Sequence, residues 1–388
     1  MESTNKPGTF AGDSRLLSYL ALMAREHASD LFLFAGAPPT LKRQGDFTPI
    51  MQTPLGAEDI RAMAYSVMRK AQIDEFEATM ECDLSFQMGE VGRFRINVHQ
   101  QRGNVGMVVR HVTAQIPSLG ELGLPDVFKQ LAFLQAGLVL TVGAAGSGKT
   151  TSLAAMLNYR NESATGHILT VEDPIEYLHR HKKSLITQRE IGLDTRSYDD
   201  ALRHAMREAP NVIMIGEIRD RSTMQHALHY AESGHLCVST MHASNARQAV
   251  QRILNFFPEE AHKQLLMDLS LNLRAIVAQR LVKSVQGPLV PATEVMLWSP
   301  YVAELIQKGQ IDELRVAIER SGEPGMCTFD HSLYELQQRG VITAEEALAH
   351  ADNRTDMSLR LRLAAGAPPV GEGLQISPQD RGGRPSLG

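Results

Sequence analysis

The run Gly143-Ala144-Ala145-Gly146-Ser147-Gly148-Lys149-Thr150 carries glycines, a lysine and a hydroxyl at the spacing of a phosphate-binding loop. Glycine lets successive backbone N–H groups turn towards an anion with no side chain in the way. A helix opening near Thr150 and Thr151 adds unpaired N–H donors and a favourable dipole. Lys149 then reaches the β- and γ-phosphates, and the Thr150 hydroxyl takes a place on Mg²⁺. The expected ligand is a nucleoside triphosphate with Mg²⁺.

Hydrolysis of a γ-phosphate needs, besides the cradle, a group that orients water and positive charge for the transition state. Three further polar clusters offer these groups: Glu172-Asp173-Pro174-Ile175-Glu176, Gly216-Glu217-Ile218-Arg219-Asp220 and Met241-His242. Glu217 ends an apolar run, as in a Walker B element, although the usual aspartate is absent. It is placed to hold a Mg²⁺-bound water or to activate the attacking one. Glu172 and Asp173 supply a second acidic group. One of Glu172 and Glu217 orients the water and the other acts through Mg²⁺; the residues themselves do not divide these roles. His242 is placed to sense the γ-phosphate or to bridge to a neighbouring subunit. No arginine finger is evident here. Arg219 and Arg221 are candidates, with Arg219-Asp220 alternatively a structural ion pair. Arg93, Arg95 and Arg110 lie further towards the N-terminus, where a second domain or subunit could supply them.

Each cluster follows an apolar stretch, at 138–142, 167–171, 212–215 and 236–240, and helical patterns intervene. That alternation predicts a parallel sheet, whose ligands bind outside the carboxyl ends of its strands. Beyond it the chain reads as helical. Leu265, Leu266, Leu269, Leu273, Ile276 and Val277 form one apolar helix face, and a short strand falls at 294–298. Further helices are expected near 302–308, 311–319 and 332–339, with a capping box at Thr343.

Towards the N-terminus a helix over 13–28 precedes a strand, a hairpin around Gly45 and a helix over 57–78. Alternating strands follow at 82–86, 92–98 and 105–110, with Gly89-Glu90 between the first two. Arg93 and Arg95 then share one strand face. The expected division is a flexible tail (1–12), a smaller α+β domain (13–114) and a Pro/Gly-rich linker (115–125). An α/β P-loop domain with helical C-terminal part (126–363) and a disordered tail (364–388) complete it.

Composition narrows the classes. The 388 residues are 43% hydrophobic and 21% charged, enough for a sizeable core. The net charge of −5, with no basic aromatic-lined stripe, argues against a nucleic-acid translocase. The one basic run, His179-Arg180-His181-Lys182-Lys183, reads as a solvated loop. Three scattered cysteines, Cys82, Cys237 and Cys327, argue against a zinc site or a disulfide framework. No signal peptide or transmembrane run is evident, so a cytoplasmic protein is expected.

Together the motifs resemble the secretion-superfamily ATPases of type IV pili and type II secretion. Residues 143–150 resemble Walker A, 168–176 the aspartate box, 215–220 the atypical Walker B, and 234–243 the histidine box. With no zinc insertion, the chain resembles the retraction branch, the PilT/PilU family. Glu217-Ile218-Arg219-Asp220-Arg221 and Ile253-Leu254-Asn255-Phe256-Phe257-Pro258 resemble its PilU-like members. The resemblance implies a PAS-like fold for 13–114, a RecA-like fold for 126–363, and a homohexamer with ATP between these two domains, approached by Arg93, Arg95 and Arg110. It implies domain rotation that drives pilin extraction through an inner-membrane platform protein, together with a PilT-like ATPase. The location implied is the cytoplasmic face of the inner membrane. Ala209-Pro210-Asn211 departs from the usual Asp-Pro-Asp and leaves room for a second reading, an ATP-binding accessory subunit with low turnover.

Overall fold

The computed structural model describes residues 12–364 apart from Gln44, Glu90, Thr113 and Ala114. The two expected tails, save Gly12 and Ala364, and part of the expected Gly89-Glu90 turn lie outside the described residues. The chain divides into two compact units. Among the described residues the first comprises those up to 116, 174–181 and 188–196; the second comprises 117–173, 182–187 and those from 197 on.

The first unit is built on a sheet of β1 (Asp30–Leu33), β2 (Thr40–Arg43), β3 (Asp46–Pro49), β4 (Glu81–Met88), β5 (Gly92–Gln101) and β6 (Asn104–Val112). Its order is β3-β2-β1-β6-β5-β4, antiparallel throughout. Alternation sends Cys82, Leu84 and Phe86, and opposite them Phe94, Ile96 and Val98, into the core. The helix Ser14–Arg25 covers that core with Leu16, Leu20 and Met23, and Asp13 caps it by accepting from Arg15 N at 2.8 Å. The helix expected over 57–78 is two helices, Ala57–Val67 and Lys70–Thr79. Ser66 Oγ donates to Met63 O at 2.7 Å, and Gln72 Oε1 accepts from Arg69 N at 2.9 Å. The first bond competes with the helical ladder, and the second opens a new helix.

The second unit holds β7 (Gly137–Val142), β8 (Gly166–Glu172), β9 (Ser184–Glu190, whose last three residues fall in the first unit), β10 (Val212–Ile215), β11 (Leu236–Met241), β12 (Leu273–Lys283) and β13 (Leu289–Leu297). The order is β13-β12-β7-β11-β10-β8-β9. β12, β7, β11, β10 and β8 run parallel, and β13 is antiparallel to β12. Strands β7, β10 and β11 are buried along their whole length, which explains their continuous apolar runs.

Two readings change here. The apolar face placed on one helix through Val277 breaks at Asn272: the helix is His262–Asn272, and Leu273, Ile276 and Val277 belong to β12. The Pro/Gly-rich stretch from 115 to 125 brings Leu119 and Leu124 into the second unit's core. Each buried leucine contributes roughly 1.5–3 kcal/mol.

Candidate active site

The register aligns four strand ends. Val142 lies opposite Met241, Ile215 opposite Ser239, and Ile215 opposite Val171. The phosphate loop, His242, Gly216-Glu217 and Glu172 therefore leave neighbouring strands along one edge, at about 5 Å per strand.

The loop's shape depends on its glycines. Gly146 and Gly148 have φ of +75° and +83°, values that L side chains rarely adopt. A Cβ on Gly143 would stand 2.6 Å from Gln279 O, and one on Gly148 2.8 Å from Gln279 Nε2. Lys149, buried at the start of the helix Lys149–Ser163, donates to Gly143 O at 3.0 Å and Ala144 O at 2.8 Å. The Ser147 hydroxyl is buried with no hydrogen-bond partner among the described residues. An unmet donor, an ammonium and a glycine-lined turn at a helix start fit the phosphates of a nucleotide. Thr150 and Thr151 stand half-buried on the first turn of that helix.

Gln279 was not found from sequence. It is buried on β12; its Nε2 donates to Ser147 O at 2.8 Å, and its Oε1 accepts from Ser152 Oγ at 2.7 Å. It thus braces the loop and its helix from a strand read as helix. Gln279→Ala leaves both partners unsatisfied. The expected result is a loss of about 1–3 kcal/mol in thermal or denaturant unfolding, with weaker nucleotide binding.

Glu217 is the centre of the acidic group. Its side chain is 14% exposed. Arg219 Nε donates to Oε2 at 2.6 Å, and His242 Nε2 lies 3.0 Å from Oε1. Arg219 Nη1 is 3.9 Å from Asp173 Oδ2, so one guanidinium spans two acids. Asp220 does not pair with Arg219: it caps the helix Arg221–Glu232 by accepting from Thr223 N at 2.9 Å. Arg221 lies over the Phe257 ring, 5.4 Å from its centroid. Glu172 is buried at the end of β8 and accepts from Thr170 Oγ1 at 2.7 Å.

Buried hydroxyls on β11 fix the loop that carries Glu217. Ser239 Oγ donates to Ile215 O and Thr240 Oγ1 to Gly216 O, both at 2.7 Å, and Ile218 N donates to Thr240 O at 2.9 Å. Gly216 is needed for close approach, since a Cβ would stand 3.1 Å from Tyr198 Oη and 3.3 Å from Val171 O. Tyr198 is a second residue missed from sequence. Burial, aided by the Asp173 charge, pushes its phenol pKa up, so it remains a proton donor beside the acids.

The N-terminal arginines sit in the first unit. Arg93 is nearly buried and pairs with Glu190 at 2.5 Å. Arg110, 64% exposed, donates from Nε to Asp30 Oδ1 at 2.9 Å. Arg95 is half-buried and stands opposite Arg110 across β5 and β6. All three cysteines are free, and burial pushes the Cys82 and Cys327 thiols up to about 11. Among the described residues no cluster of His, Cys, Asp and Glu suits a metal held by such ligands alone.

The family profile described as "Type II/IV secretion system protein" matches residues 84–313. The chain is 48% identical to the type IV pilus ATPase PilU of Pseudomonas aeruginosa over 94% of its length and 98% of PilU's. It is 40% identical to the type IV pilus retraction ATPase PilT of the same organism, over 84% of this chain and 95% of PilT. A crystal structure of the pilus retraction motor PilT with bound ADP superimposes with a TM-score of 0.82 at 38% identity, covering 88% of this chain and 98% of that one.

Proposed function

The chain belongs to the type II/IV secretion system protein family, among its type IV pilus ATPases, and from that membership we propose that it is a ring motor that powers or assists pilus retraction. The observation that carries the proposal is the alignment of the phosphate loop with Glu217, itself held between Arg219 and His242. ATP binds with its phosphates on residues 143–151, where Gly143, Ala144, Ala145, Gly146, Ser147 and Gly148 supply the turn. Thr150 and Glu217, the latter partly through water, would hold Mg²⁺, which neutralises phosphate charge. One of Glu172 and Glu217 orients the attacking water. His242 reports on the γ-phosphate through its contact with Glu217.

The assembly we propose is a homohexamer with domains rotating on hydrolysis, working with a PilT-like ATPase and an inner-membrane platform protein from the cytoplasmic side. Among the described residues no helix is long and apolar enough to cross a membrane. The domains we propose are 13–114 and 126–363 with 115–125 as the connection, residues 174–181 and 188–196 of the second packing with the first unit, and we propose no nucleic-acid partner.

Arg93, Arg95 and Arg110 are the arginines proposed to reach the nucleotide from the N-terminal domain. Arg110→Ala should lower ATP turnover about tenfold or more while nucleotide binding persists. Unchanged turnover would remove Arg110 from the site. A cell assay separates motor from accessory subunit. In cells lacking this chain, wild type should restore retraction and Glu217→Gln should not. Full restoration by Glu217→Gln beside an active PilT-like ATPase would favour the accessory reading.

A further inference from the structure

The chain enters the first unit at Pro174 and leaves it after Arg196, with residues 182–187 returning to the second unit between. Both crossings adjoin the candidate site: Asp173 precedes one, and Tyr198 stands two residues beyond the other. Glu190, buried at the end of β9, ties the intervening segments to the first unit's sheet. Its Oε1 accepts from Ser85 Oγ on β4 at 2.5 Å. Its Oε2 accepts from Arg93 Nη2 on β5 at 2.5 Å and from Ile175 N at 3.0 Å. Gln188 ties the two segments to each other, accepting from His179 N at 2.8 Å and donating to Tyr177 O at 2.9 Å.

Ile175 is two residues from Asp173 and three from Glu172. Two residues of extended chain span at most about 7 Å. A rearrangement of the first unit larger than a few ångströms therefore pulls on Asp173, whose carboxylate shares Arg219 with Glu217.

We propose that Glu190, set by Arg93 and Ser85, is a positioning residue for ATP hydrolysis: it anchors the chain just beyond the acidic pair to the N-terminal unit. Movement of that unit then resets Asp173 and Tyr198, and through Arg219 the Glu217 carboxylate. In this role Arg93 acts by holding Glu190. The proposal rests on the ATPase reading above.

The test uses the full-length protein and three measurements: steady-state ATP hydrolysis, binding of mant-ATP, and hydrogen exchange over residues 174–181. Glu190→Gln keeps an acceptor but removes the charge that holds Arg93. The expected result is faster exchange over 174–181 and a kcat lower by about tenfold, with mant-ATP affinity unchanged within about twofold. Faster exchange with unchanged kcat would make Glu190 a merely structural residue and overturn the proposal. So would equal losses in binding and kcat. If Glu190→Gln fails to fold, Ser85→Ala, which leaves the ion pair in place, carries the test. It should lower kcat about two- to threefold at unchanged affinity, and an unchanged kcat would overturn the proposal. Wild-type protein with no hydrolysis would instead remove the ATPase reading and this inference with it. An active wild type with unaffected variants removes the inference alone.

Discussion

Lys149→Ala is expected to lower ATP turnover by roughly 10²- to 10³-fold, the effect of removing a preorganised charge from a developing transition state. Lys149 is already drawn back onto the loop, donating to the carbonyls of Gly143 and Ala144. Phosphate oxygens can take over those donors without a search through rotamers, which is the advantage of a preorganised site. Alanine loses the charge and also the brace across the loop, so nucleotide affinity should fall together with kcat. Phosphate release and mant-ATP titration measure the two effects. A variant that still turned over ATP at the wild-type rate would place the cradle elsewhere.

Glu217→Gln should separate binding from chemistry. Glutamine keeps the shape of the side chain and can still accept from Arg219, but it cannot take a proton or balance the guanidinium. Turnover is expected to fall about 10²- to 10⁴-fold with mant-ATP affinity near wild type. The same measurement on Glu172→Gln divides the roles of the two acids. Glu172 is buried and bonded to Thr170, whereas Glu217 contacts both His242 and Arg219. Wild-type turnover in Glu217→Gln would take that carboxylate out of the mechanism.

What was legible in the sequence was local. The phosphate loop and the acids after β8 and β10 follow apolar runs, and the register puts those runs side by side. The misread places depended on partners far along the chain. Gln279 touches Ser147 across 132 positions, and no periodicity announces such a contact. The strand carrying it was hidden because Leu273, Ile276 and Val277 continue the spacing of the preceding helix, so a buried strand and a helix face read alike there. Arg219 and Asp220 are neighbours in sequence, yet Arg219 turns back to Glu217. In non-helical backbone, residues two apart tend to lie on the same side. Glu190 carried no signal at all, because its importance lies in joining Ile175 to β4 and β5.

The departure Ala209-Pro210-Asn211 has a structural content of its own. Ala209 has φ of +49°, a strained region for alanine. Asn211 Oδ1 accepts from His167 N at 2.8 Å at the start of β8. Both lie at the far end of β8 and β10 from Glu172 and Glu217, so the missing acids do not deplete the acidic cluster.

The proposed ATP-hydrolysing ring motor has two joint signatures, nucleotide turnover and solution mass. Phosphate release by the purified full-length protein should be followed with and without Mg²⁺ and a PilT-like ATPase, with solution mass determined on the same sample. A ring motor should show Mg²⁺-dependent release by a hexamer. A monomer in every nucleotide state, with no release under any of these conditions, would contradict it.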